Sequence, residues 1–410
     1  MNEHRLHIAF LTSESAHDKR SYSGSLYYMG RALEQHCGEV TYLDRVLSWE
    51  KRYVGRLLHE TARRVLRKNV AYDRLLFVAR KQSASAARRL QGQRFDVIVA
   101  PNCVPEIAFL RTSVPILLPL DVTFRLQRDY YPLYSRLLAS SARQAEAVEA
   151  AAFQNAAALL FSSPWAARSA IEDYGIDQRK VRSHFFGANL DHIPPREQML
   201  ARRDTTPTRE VATCGGRTPT CRLLFMGIGW QRKGGDIAYE TLRALGALGI
   251  EAELIVCGST PPPGQVDEHM TVIPYLDKND ERQAREIEKL YALSDFLLLP
   301  TRADCAPNVF KEANAFGLPA ITTATGGVAD IVRDGENGYA LPYEARGDAY
   351  ANLIADLWRD QPRYRQLAQS SRAAYDERLS WDAWAKAVYG IMHDICKDRQ
   401  PLRAAHPGDE

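Results

Sequence analysis

Short apolar runs recur along this chain, each ending in a small or polar turn, with amphipathic stretches between them. In the first half the strand-like runs are HIAFLTSE (His7 to Glu14), GEVTYLD (Gly38 to Asp44), FDVIVA (Phe95 to Ala100), VPILLPLD (Val114 to Asp121), AALLFSS (Ala157 to Ser163) and VRSHFFGAN (Val181 to Asn189). In the second they are CRLLFMGIG (Cys221 to Gly229), AELIVCGS (Ala252 to Ser259), MTVIPYL (Met270 to Leu276), Phe296 to Leu299 and Pro319 to Thr322. Helical patterns follow several of these: YSGSLYYMGRALEQH, WAARSAIEDYG ending at Gly175, WQRKGGDIAYETLRAL, and one starting near Val309. Strand and helix alternate throughout Cys221 to Tyr375, which predicts a parallel sheet wrapped by helices. The segment 193–220 is rich in Pro, Thr, Gly and charge and reads as an exposed linker between domains over 1–192 and 221–380. LSWDAWAKAVYGIMHDIC predicts a final amphipathic helix over 381–398, and the polar tail over 399–410 reads as loose.

The chemistry concentrates just past two of these strands. Asp304 and Glu312 stand eight residues apart, the first on a loop after the run ending at Pro300, the second one turn into a helix. Ligands of doubly wound sheets bind outside the strand carboxyl ends, where helix N-termini attract phosphates. There a loop carboxylate suits sugar hydroxyls and a helical one suits a ribose diol; a solvated acid plus a capping Glu is the plain alternative. Past Cys221 to Gly229, Arg232 and Lys233 at a helix start place two cations where a diphosphate would also meet free N–H groups. Surface salt bridges at a basic helix end are the alternative.

DCAPNVFKEANAFGLP, Asp304 to Pro319, resembles the acidic-x7-acidic motif of retaining glycosyltransferases of family 4 (glycosyl transferases group 1), which usually carry Glu at both positions. Lys233 falls in the lysine position of that family's phosphate loop. The family's usual Arg after the first glycine is replaced by Ile228, and Arg232 is the candidate substitute. Pro274-Tyr275-Leu276 resembles the place where the nucleotide base docks, ATGGVADIV (Ala324 to Val332) the next glycine turn, and Ser23-Gly24-Ser25 the loop near the donor phosphate and sugar. The resemblance implies the GT-B architecture: two Rossmann-like doubly wound domains facing a central cleft, the last helix crossing back to the N-terminal domain. It implies an N-terminal acceptor domain and a C-terminal nucleotide-sugar domain. The catalytic set it implies is Arg232, Lys233, Asp304 and Glu312, with Asp121 at the strand end where many relatives place a histidine. Asp121 reads equally well as a helix N-cap. The implied donor set is Gly24, Ser25, Gly229, Tyr275, Thr301, Ala306, Pro307, Asn308, Val309, Glu312, Gly326 and Gly327. No Asp-x-Asp triplet occurs, so the expectation is a metal-independent reaction with no cofactor, the donor being a nucleoside-diphosphate sugar such as a UDP or GDP sugar.

Bulk composition adds one feature. The chain has 410 residues and a net charge of only +3, yet between Lys51 and Arg94 thirteen Lys and Arg face only Glu60 and Asp73. With Leu57, Leu58, Val65, Leu66 and Val70 interleaved, this stretch reads as basic amphipathic helices suited to anionic lipid, to a charged glycan, or simply to water. Nucleic acid is disfavoured, since no reader motif or stacking aromatics accompany the charge. No apolar run approaches the ~20 residues that span a bilayer. The N-terminus has no signal-peptide pattern, and seven scattered cysteines fit a reducing compartment, so the expectation is a cytoplasmic protein, at the inner membrane face if the basic helices touch lipid. The function expected is transfer of a hexose-type sugar to a glycan or lipid-linked acceptor in surface polysaccharide or glycolipid synthesis. A GT-B nucleotide-sugar epimerase or hydrolase is one alternative. A non-catalytic nucleotide- or glycan-binding relative is the other, motivated by Ile228 and Asp304.

Overall fold

The computed structural model describes residues 5–46, 53–54, 56–204 and 220–397. Lys51, Arg52, residues 205–219 of the expected linker and the tail over 399–410 lie outside the described residues. The chain forms two compact units, one of residues up to His17, Leu26–His184 and Trp384 onward, the other of Asp18–Ser25 and Phe185–Ala383.

The N-terminal unit is built on β1 (Leu6–Leu11), β2 (Gly38–Leu43), β3 (Val97–Val99), β4 (Ile116–Leu120), β5 (Ala158–Phe161) and β6 (Val181–Ser183). All pairs are parallel, in the order β2-β1-β3-β4-β5-β6. Helices cover both faces of such a sheet, so its strands are apolar throughout: Ile98, Val99, Leu117, Leu118, Leu159 and Leu160 are all fully buried. The final helix, Trp381–Lys397, buries Trp384, Val388 and Met392 at i, i+4, i+8, and its residues from Trp384 onward belong to this unit.

The basic stretch divides. The helix Arg56–Leu66 leaves Leu57, Leu58, Val65 and Leu66 exposed, while Ala62 and Val70 pack inward. Arg74 departs from the expected solvent face. It is buried, its Nη1 donating to Glu149 Oε1 at 2.5 Å, because Glu149 on the helix Ala139–Asn155 is itself buried and needs a cation.

The C-terminal unit holds β7 (Cys221–Met226), β8 (Ala252–Cys257), β9 (Met270–Ile273), β10 (Phe296–Leu299), β11 (Ala320–Thr323) and β12 (Gly338–Leu341), again all parallel, in the order β12-β11-β10-β7-β8-β9. The chain runs outward through β8 and β9, then returns to lay β10 beside β7. The strand order therefore reverses between β7 and β10, and a crevice opens past their carboxyl ends.

The boundary differs from the expected one. The second unit takes over at Phe185, and Arg196–Asp204 is a helix rather than exposed linker. Ala188, Leu190 and Met199 pack into the core of the C-terminal unit, and this burial outweighs the local Pro and charge content.

Candidate active site

The site grows from the two turns at this switch point. After β7, the chain passes Gly227, Ile228 and Gly229 before the helix Gly235–Ala247 begins. Arg232 and Lys233 thus sit in the turn preceding the helix, not in its first residues. Gly234 has φ +78°, and a Cβ there would lie 1.9 Å from the carbonyl oxygen of Pro300. Only glycine lets this turn rest on the one after β10. Gly227 serves the lysine: a Cβ on it would stand 3.2 Å from Lys233 Cε, so the lysine stem lies across a bare backbone.

The second turn, Pro300 to Pro307, brings Asp304 onto the cations. Lys233 Nζ donates to Asp304 Oδ2 at 2.7 Å, Thr301 Oγ1 donates to the same oxygen at 2.8 Å, and Arg232 Nη1 donates to Oδ1 at 3.3 Å. Lys233 and Asp304 are both buried. Arg232 is further held by the carbonyls of Ala303 at 3.0 Å and Ile228 at 3.2 Å. Its guanidinium therefore lies at the Ile228 turn, while the Ile228 side chain is exposed.

Ala306 and Pro307 lead into the helix Asn308–Ala315, with Val309 in its first turn. Pro307 offers no capping side chain, which leaves the first N–H groups of that helix for a ligand. Glu312, one turn in, is 2% exposed. Lys278 Nζ donates to its Oε1 at 2.6 Å and Tyr291 OH to its Oε2 at 2.7 Å. Burial and the adjoining carboxylate push the Tyr291 phenol well above its ordinary range, so it stays protonated as a donor.

The Ser23-Gly24-Ser25 turn joins this cluster. Ser25 Oγ accepts from Asn308 Nδ2 and from Asn189 Nδ2, each at 3.1 Å, and Asn189 Nδ2 also donates to the Ser23 carbonyl at 2.9 Å. Tyr22, Ser23 and Gly24 take φ of 49°, 56° and 89° in succession, a left-handed run that such bonds must hold. Lys278, Tyr291 and Asn189 were not among the expected site residues. Their roles depend on partners 21 to 192 positions away, and the only local signal was a charged turn, Leu276-Asp277-Lys278-Asn279-Asp280.

The remaining expected residues are placed by other elements. Tyr275 is exposed past β9. Gly326 and Gly327 form the turn after β11, but the helix they introduce, Val328–Ile331, is a single turn, so isolated N–H groups rather than a long helix dipole are available there. Asp121 belongs to the N-terminal unit, just past β4, and the capping role beside it falls to Thr123, whose Oγ1 accepts from Leu126 N at 3.4 Å. Arg125 and Arg128, which follow it, pair with Glu146. Among the described residues no three His, Cys, Asp or Glu side chains gather as metal ligands.

Residues 220–360 match the family described as Glycosyl transferases group 1. The chain is 26% identical over 253 residues to the D-inositol 3-phosphate glycosyltransferase of Xylanimonas cellulosilytica, covering 60% of this chain and 58% of that relative. The chain thus spans little more than half the length of that curated relative. Among solved structures it is similar to Anabaena HepE in complex with UDP and glucose, with TM-score 0.60, 14% identity, and coverage of 95% of this chain and 100% of that one. It is also similar to WaaG, a glycosyltransferase involved in lipopolysaccharide biosynthesis, with TM-score 0.58, 15% identity, and coverage of 94% and 99%. With two all-parallel six-stranded sheets of the order described, the chain has the GT-B architecture. Within the C-terminal unit, residues 220–360 are the stretch that matches glycosyl transferases group 1.

Proposed function

We propose that this protein is a retaining glycosyltransferase that moves a hexose-type sugar from a nucleoside-diphosphate sugar to a glycan or lipid-linked acceptor. The observation that carries the reading is the meeting of Lys233 and Arg232 with Asp304 past the β7/β10 switch point, with Glu312 buried in the helix that follows. Departure of a nucleoside diphosphate leaves negative charge on phosphate while the anomeric carbon becomes positive. Lys233 and Arg232, with N–H groups at the start of Asn308–Ala315 and near Gly24, stabilise that charge most in the transition state. Glu312 holds the ribose and Asp304 the donor sugar; Tyr275 lies at the base. Attack comes from the face the phosphate leaves, the phosphate taking the acceptor's proton, so configuration is retained. The cation pair does for the diphosphate what a bridging metal does elsewhere, and the reaction needs no cofactor. The UDP and glucose of HepE favour trying a uridine donor first.

In this reading the protein works in the cytoplasm, at the inner membrane face. Leu57 and Val65 are 68% and 72% exposed beside Arg63 and Arg64, the arrangement that rests an amphipathic helix on anionic lipid. Vesicles of phosphatidylglycerol should pull down the wild type at low salt and release a Leu57→Asp/Val65→Asp variant; equal retention of both would discard the membrane contact.

The function itself is tested by thermal shift with UDP, GDP, ADP and CMP, followed by product analysis with the matching sugar nucleotide. A ligand at about 100 times its Kd adds roughly 2.7 kcal/mol to the folded state. A shift with one nucleotide, lost in Lys233→Ala and Glu312→Ala, supports the assignment. No shift with any nucleotide would return the non-catalytic reading, and free sugar or an altered sugar nucleotide without an acceptor would favour the hydrolase or epimerase.

A further inference from the structure

We infer that Lys278 is a positioning residue of the nucleoside site, one that aims Glu312 at a ribose diol and ties that aim to the Tyr22-Ser23-Gly24 loop. The inference rests on the ribose role given to Glu312 above. A carboxylate has two oxygens with two lone pairs each. Lys278 occupies one on Oε1 and Tyr291 one on Oε2, which fixes the plane and rotation of the group. One acceptor site per oxygen is left, and a cis-diol presents two hydroxyls to such a pair.

The lysine also reaches the other half of the site. Its Nζ donates to the Asn189 carbonyl at 2.8 Å, and Asn189 is fully buried. The Asn189 side chain donates to Ser23 O and Ser25 Oγ and accepts from Trp381 Nε1 at 3.2 Å, so that residue cannot move without the loop. Lys278 therefore bridges the carboxylate that reads the ribose and the residue that pins the glycine turn. A neutral side chain of similar length would leave Glu312 with Tyr291 alone, free to rotate and without a counter-charge in a buried site.

The test compares UDP and GDP with their 2′,3′-dideoxy forms, and with inorganic pyrophosphate, by calorimetry on wild type, Lys278→Met and Lys278→Arg. Wild type should prefer the diol by about tenfold or more, the scale of a hydrogen bond to a charged group. In Lys278→Met that preference should fall towards one while pyrophosphate, held by Lys233 and Arg232, binds as before. Lys278→Arg should restore part of the preference. A lysine of merely structural importance would weaken ribo- and dideoxy-nucleotides alike, and that outcome, or an undiminished preference in Lys278→Met, overturns the inference. If wild type binds diol and dideoxy forms equally, the ribose role of Glu312 fails, and this inference with it.

Discussion

Asp304 holds both of the cations assigned above to the diphosphate, so replacing it should separate phosphate binding from sugar transfer. The Lys233–Asp304 contact is 2.7 Å long, and the two side chains are only 9% and 11% exposed. A hydrogen bond to a charged group of this kind contributes about 1.5–3 kcal/mol. Arg232 is 33% exposed and its contact is solvent-screened, so it is left out of the sum. A phosphate that takes Lys233 away from Asp304 forfeits at least the lower figure, about 1.5 kcal/mol, or about tenfold in Kd. Asp304→Asn removes the competing charge and leaves Lys233 buried without its counter-ion. The variant should therefore melt at a lower temperature when empty, bind pyrophosphate and the cognate nucleoside diphosphate about tenfold more tightly, and turn over the sugar donor more slowly. Calorimetry with pyrophosphate over a salt series, alongside a kcat measurement with the intact donor, separates the two effects. Pyrophosphate affinity that is unchanged or weaker in Asp304→Asn would refute the competition.

In the N-terminal unit, Glu149→Ala strands the Arg74 guanidinium and the Phe124 N–H that Glu149 accepts at 2.6 Å, and should cost about 3–5 kcal/mol in urea unfolding. The Arg74→Met/Glu149→Leu pair should recover most of that loss, since it buries no charge; recovery of none would mean the ion pair is itself a net stabiliser. Burial pushes the Cys37 thiol up to about 12 and Cys257 up to about 11. Iodoacetamide at pH 8, followed by peptide mapping, should therefore leave both unmodified in the folded protein and label both in urea. The same shift means stability is fully present below the ordinary thiol value of 9.0 and declines as pH rises through the folded values, because the unfolded chain loses those protons first. Unfolding curves at pH 8 and 10 check the sign, with serine variants as the reference.

What could be read along the chain was whatever depends on near neighbours. Apolar runs such as Phe296–Leu299 and Cys221–Met226 are buried strands because a sheet covered on both faces admits little else, and those runs are visible as letters. The turns after them, with Gly227, Gly229, Arg232, Lys233 and Asp304, lie close to their strands and were legible for the same reason. Tertiary structure decided which charges meet. Asp304 reaches Lys233 across 71 positions, Lys278 reaches Glu312 across 34, and Arg74 reaches Glu149 across 75. In each case a buried ion takes whichever partner the fold brings within reach, and sequence spacing holds no record of that distance. Met199 makes the same point for packing. A polar, Pro-flanked segment became helix because one apolar side chain found a core to enter, and only the folded sheets create that core.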